Sequence, residues 1–105
     1  MKIIAFVVLT SVVPTSVAMA EDFSPSSTQI LYKEQCSECH GANGVSPIDR
    51  YPNVAGQKKG YLQTEMLAFK SGSRPGTIMP SIAEGLTEKE IEELSLYMAK
   101  MKCAP

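Results

Sequence analysis

The chain holds one histidine, His40, among its 105 residues, which excludes any centre needing two imidazoles from this chain. Strand patterning is scarce, so the strand-rich frame that a thioredoxin-like dithiol would require is not in evidence. Long apolar runs are lacking as well. The stretch from Ile3 to Leu9, with Val12, Val13 and Val17 beyond it, is broken by Thr10, Ser11, Pro14, Thr15 and Ser16. It falls short of the roughly 20 apolar residues that span a bilayer, and no second such segment follows, so stable membrane insertion is not expected. Net positive charge is also missing: 10 Lys and Arg stand against 11 Asp and Glu, a formal charge of −1. Nucleic acid and other polyanions are therefore poor candidates as partners. There is no internal repeat and no low-complexity segment.

What the N-terminus does have is Lys2, the apolar stretch, and then Ala18-Met19-Ala20. This order predicts a secretory signal peptide over 1–20, cut after Ala20, with one domain over 21–105. In a Gram-negative host the mature protein would be periplasmic, in an oxidising compartment. Removing 1–20 takes away Lys2 and no acid, so −1 becomes −2. What remains is near the size at which an apolar core alone gives little stability.

The strongest motif is Cys36-Ser37-Glu38-Cys39-His40, a C-x-x-C pair followed at once by the single histidine. This is the spacing of covalent haem attachment. Each sulfur can add to one vinyl group, and two intervening residues bring both sulfurs to one edge of the macrocycle. His40 then sits under the iron as an axial ligand, its other ring nitrogen free to donate to a backbone carbonyl. A dithiol redox pair is the blander reading of the cysteines. A zinc site from Cys36, Cys39, His40 and Cys103 is another, but adjacent Cys39 and His40 are poorly placed for two corners of one tetrahedron.

Around this motif the chain reads as helices and loops. Ser26, Ser27 or Thr28 can cap a helix carrying Ile30, Leu31 and Tyr32, which delivers the chain to Cys36. Gly41 to Gly60 is loop-like, and a loop of that length suits wrapping a cofactor. Tyr61 to Ser71 predicts a helix ended by Gly72, and Ser73 to Ala83 a second irregular stretch. Thr87 and Glu90 form a capping box, Leu86 and Ile91 a hydrophobic staple, and Ile91, Leu94, Met98 and Met101 one apolar stripe.

With bis-histidine ligation excluded, a sixth ligand must be a thioether or a lysine amine, or the position stays open. Met66, Met98 and Met101 lie on helical stripes, where methionine is ordinarily core. Met79 precedes Pro80 in an irregular segment and is the candidate axial ligand. A His40/Met79 iron would be six-coordinate and suited to outer-sphere electron transfer rather than catalysis; no residue is assigned as acid, base or nucleophile.

These residues resemble the small bacterial class I cytochromes c. The resemblance is carried by Leu31-Tyr32, Cys36 to Gly41, Pro52 to Gln57, Tyr61-Leu62, Phe69 to Gly72, Met79-Pro80 and Leu86 to Tyr97. It implies an all-α fold of three main helices plus loops around one haem c, with the first and last helices crossing. It implies too that the Pro52 carbonyl accepts from His40 and that Tyr97 packs at the crossing; Arg74 is either a propionate partner or a free surface arginine. The stretch from Phe69 to Tyr97 is similar to the haem subunits of flavocytochrome c sulfide dehydrogenases and to cytochromes that feed terminal oxidases.

Two features depart from that family. Thr28 stands where a glycine is usual, which implies a slightly wider helix crossing. Cys103 is left over once haem takes Cys36 and Cys39, and predicts a minor disulfide dimer. The leading expectation is a carrier of single electrons between a protein donor and a protein acceptor, through Fe(III)/Fe(II) cycling. Basic residues from Arg50 to Arg74 are the candidate guide for weak, charge-steered encounters. The alternatives are a haem subunit of a larger dehydrogenase, and a gas sensor or peroxidase with a labile iron position.

Overall fold

The computed structural model describes residues 2–16 and 26–105. The expected cleavage site at Ala18-Met19-Ala20 and the tail from Glu21 to Pro25 lie outside the described residues. Residues 2–16 form neither helix nor strand, and no helix among the described residues is long and apolar enough to cross a membrane.

Five helices and no strand are found among the described residues: α1 (Ser27–Gln35), α2 (Ser37–His40), α3 (Lys59–Ser71), α4 (Met79–Glu84) and α5 (Glu88–Ala99). The all-α expectation holds. Ser26 caps α1, its hydroxyl accepting from the Gln29 N–H at 3.2 Å. In α5 the capping box closes both ways, with Glu90 N–H donating to Thr87 Oγ1 at 3.1 Å and Thr87 N–H to Glu90 Oε1 at 2.9 Å. Gly72 ends α3 in the left-handed conformation.

Two boundaries differ from the sequence reading. Helix α3 starts at Lys59, taking in Gly60, where nothing packs closely enough to resist a side chain. The second irregular stretch contains α4, because Pro80 falls in the first turn, where a missing N–H costs no helical bond and a fixed φ suits the helix. Met79 is thus the first residue of a short helix rather than part of a loop.

The core forms where α5 packs against α1 and α3, with α4 laid on α3. Tyr32, Leu62, Met66, Leu86, Ile91, Leu94 and Met98 are buried in one cluster. Ile91 and Leu94 are fully covered, each worth about 1.5–3 kcal/mol of transfer free energy. Met101 lies beyond the end of α5 but still packs on this cluster, whereas Ile30 is exposed rather than part of the apolar face of α1. Buried Ser95 satisfies its hydroxyl by donating to the Ile91 carbonyl at 2.7 Å.

At the crossing of α1 and α5 the Tyr32 and Tyr97 rings meet, centroids 5.3 Å apart and planes at 51°. Thr28, the residue that replaces the usual glycine, donates to Glu93 Oε2 at 3.3 Å across the same crossing. The wider side chain is accommodated as a polar link between the two helices.

Candidate functional site

A cavity of about 320 Å³ opens between the helices, within the range of small-molecule sites. Cys36, Cys39 and His40 line it from the α1–α2 junction, and Met79 and Ile82 line it from α4. Leu62, Met66 and Phe69 of α3 and Met98 of α5 extend its apolar surface. All four residues singled out from the sequence therefore face one space.

The local fold explains how they arrive there. Cys36 ends α1 and begins α2, so the attachment motif is itself one helical turn; the His40 N–H donates to the Cys36 carbonyl at 2.9 Å and Gly41 N–H to Ser37 at 2.9 Å. His40 Nδ1 lies 2.8 Å from the Pro52 carbonyl oxygen. A carbonyl only accepts, so Nδ1 carries the proton and Nε2 keeps its lone pair. The loop bearing Pro52 is tied down in turn: Ser46 N–H donates to Asn53 Oδ1 at 2.7 Å, and Ser46 Oγ donates to the Cys39 carbonyl at 2.7 Å. Ser46 escaped the sequence reading; a serine followed by Pro47 in a loop is at most a turn signal.

Burial pushes the Cys36 thiol up to about 11, from an ordinary value of 9.0. A dithiol nucleophile needs the opposite shift, because the thiolate is the reactive form. The zinc reading fails on placement. Cys103 is exposed and is not among the residues lining the cavity, and no three His, Cys, Asp or Glu side chains gather to hold a metal among the described residues.

Of the three sixth-ligand options, the lysine amine finds no support, since no lysine is among the residues lining the cavity. Three methionines do line it. Met66 and Met98 belong to the buried core cluster, while Met79 stands apart on α4. The acidic and basic side chains in the wall are Glu65 and Arg74, which pair at 2.6 Å, with the Arg74 guanidinium stacked 4.5 Å over the Phe69 ring. Arg74, a candidate propionate partner, therefore reaches the cavity wall already held by Glu65 and Phe69. The rest of the basic set is partly engaged too: Lys59 pairs with Glu92 at 3.4 Å, and Lys70 donates to backbone carbonyls.

Covalently held haem fits this site on the chemistry of its donors. Two sulfurs one helical turn apart, an imidazole with its tautomer fixed, a thioether from a different helix and an apolar lining converge on one cavity.

Comparison with known proteins agrees with that chemistry. A family model described as cytochrome C oxidase, cbb3-type, subunit III matches residues 24–98. Cytochrome c4 of Pseudomonas aeruginosa is 34% identical over 67 residues, covering 64% of this chain and 33% of that protein. The cytochrome subunit of sulfide dehydrogenase from Chlorobaculum tepidum is 35% identical over 66 residues, covering 63% of this chain and 59% of the relative. The crystal structure of reduced recombinant cytochrome c4 from Pseudomonas stutzeri matches with a TM-score of 0.65 at 30% identity, over 71% of this chain and 46% of that one. The chain thus spans about a third of the first of these relatives and less than two thirds of the second.

Proposed function

Because the chain belongs to the cytochrome c family, whose members carry covalently bound haem c, we propose that it is a single-haem electron carrier of the periplasm. When bound, haem supplies reversible one-electron Fe(III)/Fe(II) chemistry. Cys36 and Cys39 would tether it through thioethers, His40 would hold the iron through Nε2 with Nδ1–H bonded to the Pro52 carbonyl, and Met79 would supply a thioether ligand. Paired with an imidazole, a thioether would favour the ferrous state more than a second imidazole and so would raise the reduction potential. Met66, Met98 and the other apolar side chains of the wall keep water from the buried face. Residues 1–20 serve as the signal peptide that brings the chain to its compartment.

The observation that carries this reading is the convergence of Cys36, Cys39, His40 and Met79 on one apolar cavity. Met79→Ala in the exported holoprotein tests it. The sulfur-to-iron charge-transfer band of the ferric form should vanish and the midpoint potential should fall; an unchanged band and potential would remove Met79 as ligand. The native ferric holoprotein separates this reading from a gas sensor or peroxidase with an open iron position, in which the band is absent from the start.

A second reading has its own support, the similarity to a cytochrome subunit of sulfide dehydrogenase together with exposed Tyr61 and Ile78 at the edge of the cavity. There the chain is the haem subunit of a larger dehydrogenase, and it co-purifies with a partner in fixed stoichiometry. A free carrier purifies alone. We further propose that Cys103, which is exposed, forms a minor disulfide-linked dimer, which non-reducing against reducing gels of the exported protein would reveal. A monomer in both lanes ends that idea.

A further inference from the structure

The two ends of α4, the helix that starts at Met79, are held differently: Gly76 packs on the first, and Lys70 from the last turn of α3 holds the second. At the N-terminal end, Gly76 fits against Pro80 and Phe69 so closely that a Cβ there would meet Pro80 Cδ at 3.2 Å and Phe69 Cε1 at 3.3 Å. At the C-terminal end, Lys70 Nζ donates to the Glu84 carbonyl at 3.1 Å and to the Leu86 carbonyl.

Helix α4 has 6 residues and no basic residue in its own last turn. The terminal carbonyls of a helix lack intrahelical partners, and a cation beside them satisfies both the hydrogen bonds and the helix dipole. Lys70 brings that cation from the neighbouring helix. It is not among the residues lining the cavity, so its role toward the cofactor is indirect. At about 1.5 Å per residue α4 is a rod of roughly 9 Å, so displacement of its C-terminal end carries through to Met79.

We propose that Lys70 is a positioning residue for Met79: by fixing the C-terminal end of α4 to α3, it sets how firmly the thioether is presented to the iron. The inference rests on Met79 being the axial ligand. A neutral thioether holds its place only as well as the backbone carrying it, and here the backbone is a short helix clamped from outside the cavity.

Competition by exogenous imidazole, followed through the sulfur-to-iron charge-transfer band of the ferric holoprotein, tests this directly. In Lys70→Met the aliphatic stem is kept and the donors are lost. Imidazole should then displace Met79 at roughly tenfold lower concentration, a fraction of the worth of the two charge-assisted hydrogen bonds lost. Lys70→Arg, which keeps charge and donors, should restore the native titration. Lys70→Gln, milder in shape, is run in parallel and should fall between them. Helix content by circular dichroism, matched across the series, separates loss of positioning from unfolding. If Lys70→Met and Lys70→Gln titrate as the native protein while Met79→Ala abolishes the band, the proposal fails and the ligand assignment survives. If Met79→Ala keeps the band, both fail together.

Discussion

His40 Nδ1 and the Pro52 carbonyl oxygen lie 2.8 Å apart, a bond between the end of the attachment turn and a loop 12 residues on. It fixes the ring plane and the tautomer together, leaving only Nε2 for a metal. The ring of Pro52 restricts φ and so helps hold the carbonyl in place. In the reduced, diamagnetic holoprotein the His40 ring N–H should exchange slowly with solvent. Pro52→Gly should speed that exchange and cost about 1 kcal/mol or more of stability through added freedom of the unfolded chain. Hydrogen-exchange NMR reads the first effect and denaturant titration the second; equal exchange rates would show that the proline ring does not secure the carbonyl.

The residue after His40 is equally constrained. Gly41 has φ 84° and ψ 154°, a region open essentially to glycine alone. A Cβ there would press on the Val45 carbonyl, within 2.8 Å of its carbon. Backbone cannot move aside as a flexible side chain would. Gly41→Ala should lose at least the ~1–3 kcal/mol of local strain, with more from the clash, and the yield of haem-loaded protein should fall. Thermal unfolding of what is recovered, beside the native holoprotein, measures the loss; an unaltered midpoint would contradict the geometry.

How much of this was legible in the sequence depends on how local each signal is. The attachment pentapeptide, the Thr87–Glu90 capping box and the Gly72 terminus each sit within a few residues, and spacing alone identifies them. Helix α4 was not legible because Met79-Pro80 sends two opposed signals. A proline disfavours helix in the residue before it but suits the first turn of a helix, and only tertiary packing, with Gly76 close against Pro80, decides between them. The Glu65–Arg74 pair and the grip of Lys70 on Glu84 and Leu86 join different elements, so no periodicity announces them. The glutamates of α5 illustrate the same limit: Glu90 caps, Glu92 pairs with Lys59, and Glu93 accepts from Thr28.

The capping box gives a prediction about stability that leaves the site untouched. Thr87→Ala removes the acceptor for Glu90 N–H while keeping the helix sequence intact. The expected loss is about 1 kcal/mol, within the ~0.5–2 kcal/mol range for such caps. The absorption spectrum and midpoint potential of the holoprotein should not change. A spectral change would mean that the start of α5 is coupled to the cavity.

Tyr32 links the helix crossing to the attachment turn, its buried hydroxyl donating to the Gly41 carbonyl at 2.7 Å. Burial is the main cause that pushes this hydroxyl up to about 12 from 10.0, Tyr97 adding less, and the small contribution of a free Cys36 thiol is absent once that sulfur is a thioether. Below pH ~10 both folded and unfolded chains keep the proton, so the contribution to stability is fully present there. As pH rises toward about 12 the unfolded chain ionises first, binds fewer protons than the fold, and becomes favoured. Tyr32→Phe should cost about 1 kcal/mol near neutral pH, the low end for a lost buried hydrogen bond. The Gly41 carbonyl still accepts from Gly44 N–H at 3.2 Å, which limits the damage. In the same variant the alkaline decline belonging to this group should disappear, so the gap between native and variant narrows above pH ~10. Denaturant unfolding of both holoproteins near neutrality and near pH ~11 checks the sign. Curves that fall in parallel would mean that Tyr32 keeps an ordinary pKa and is less shielded than its packing against Tyr97 implies.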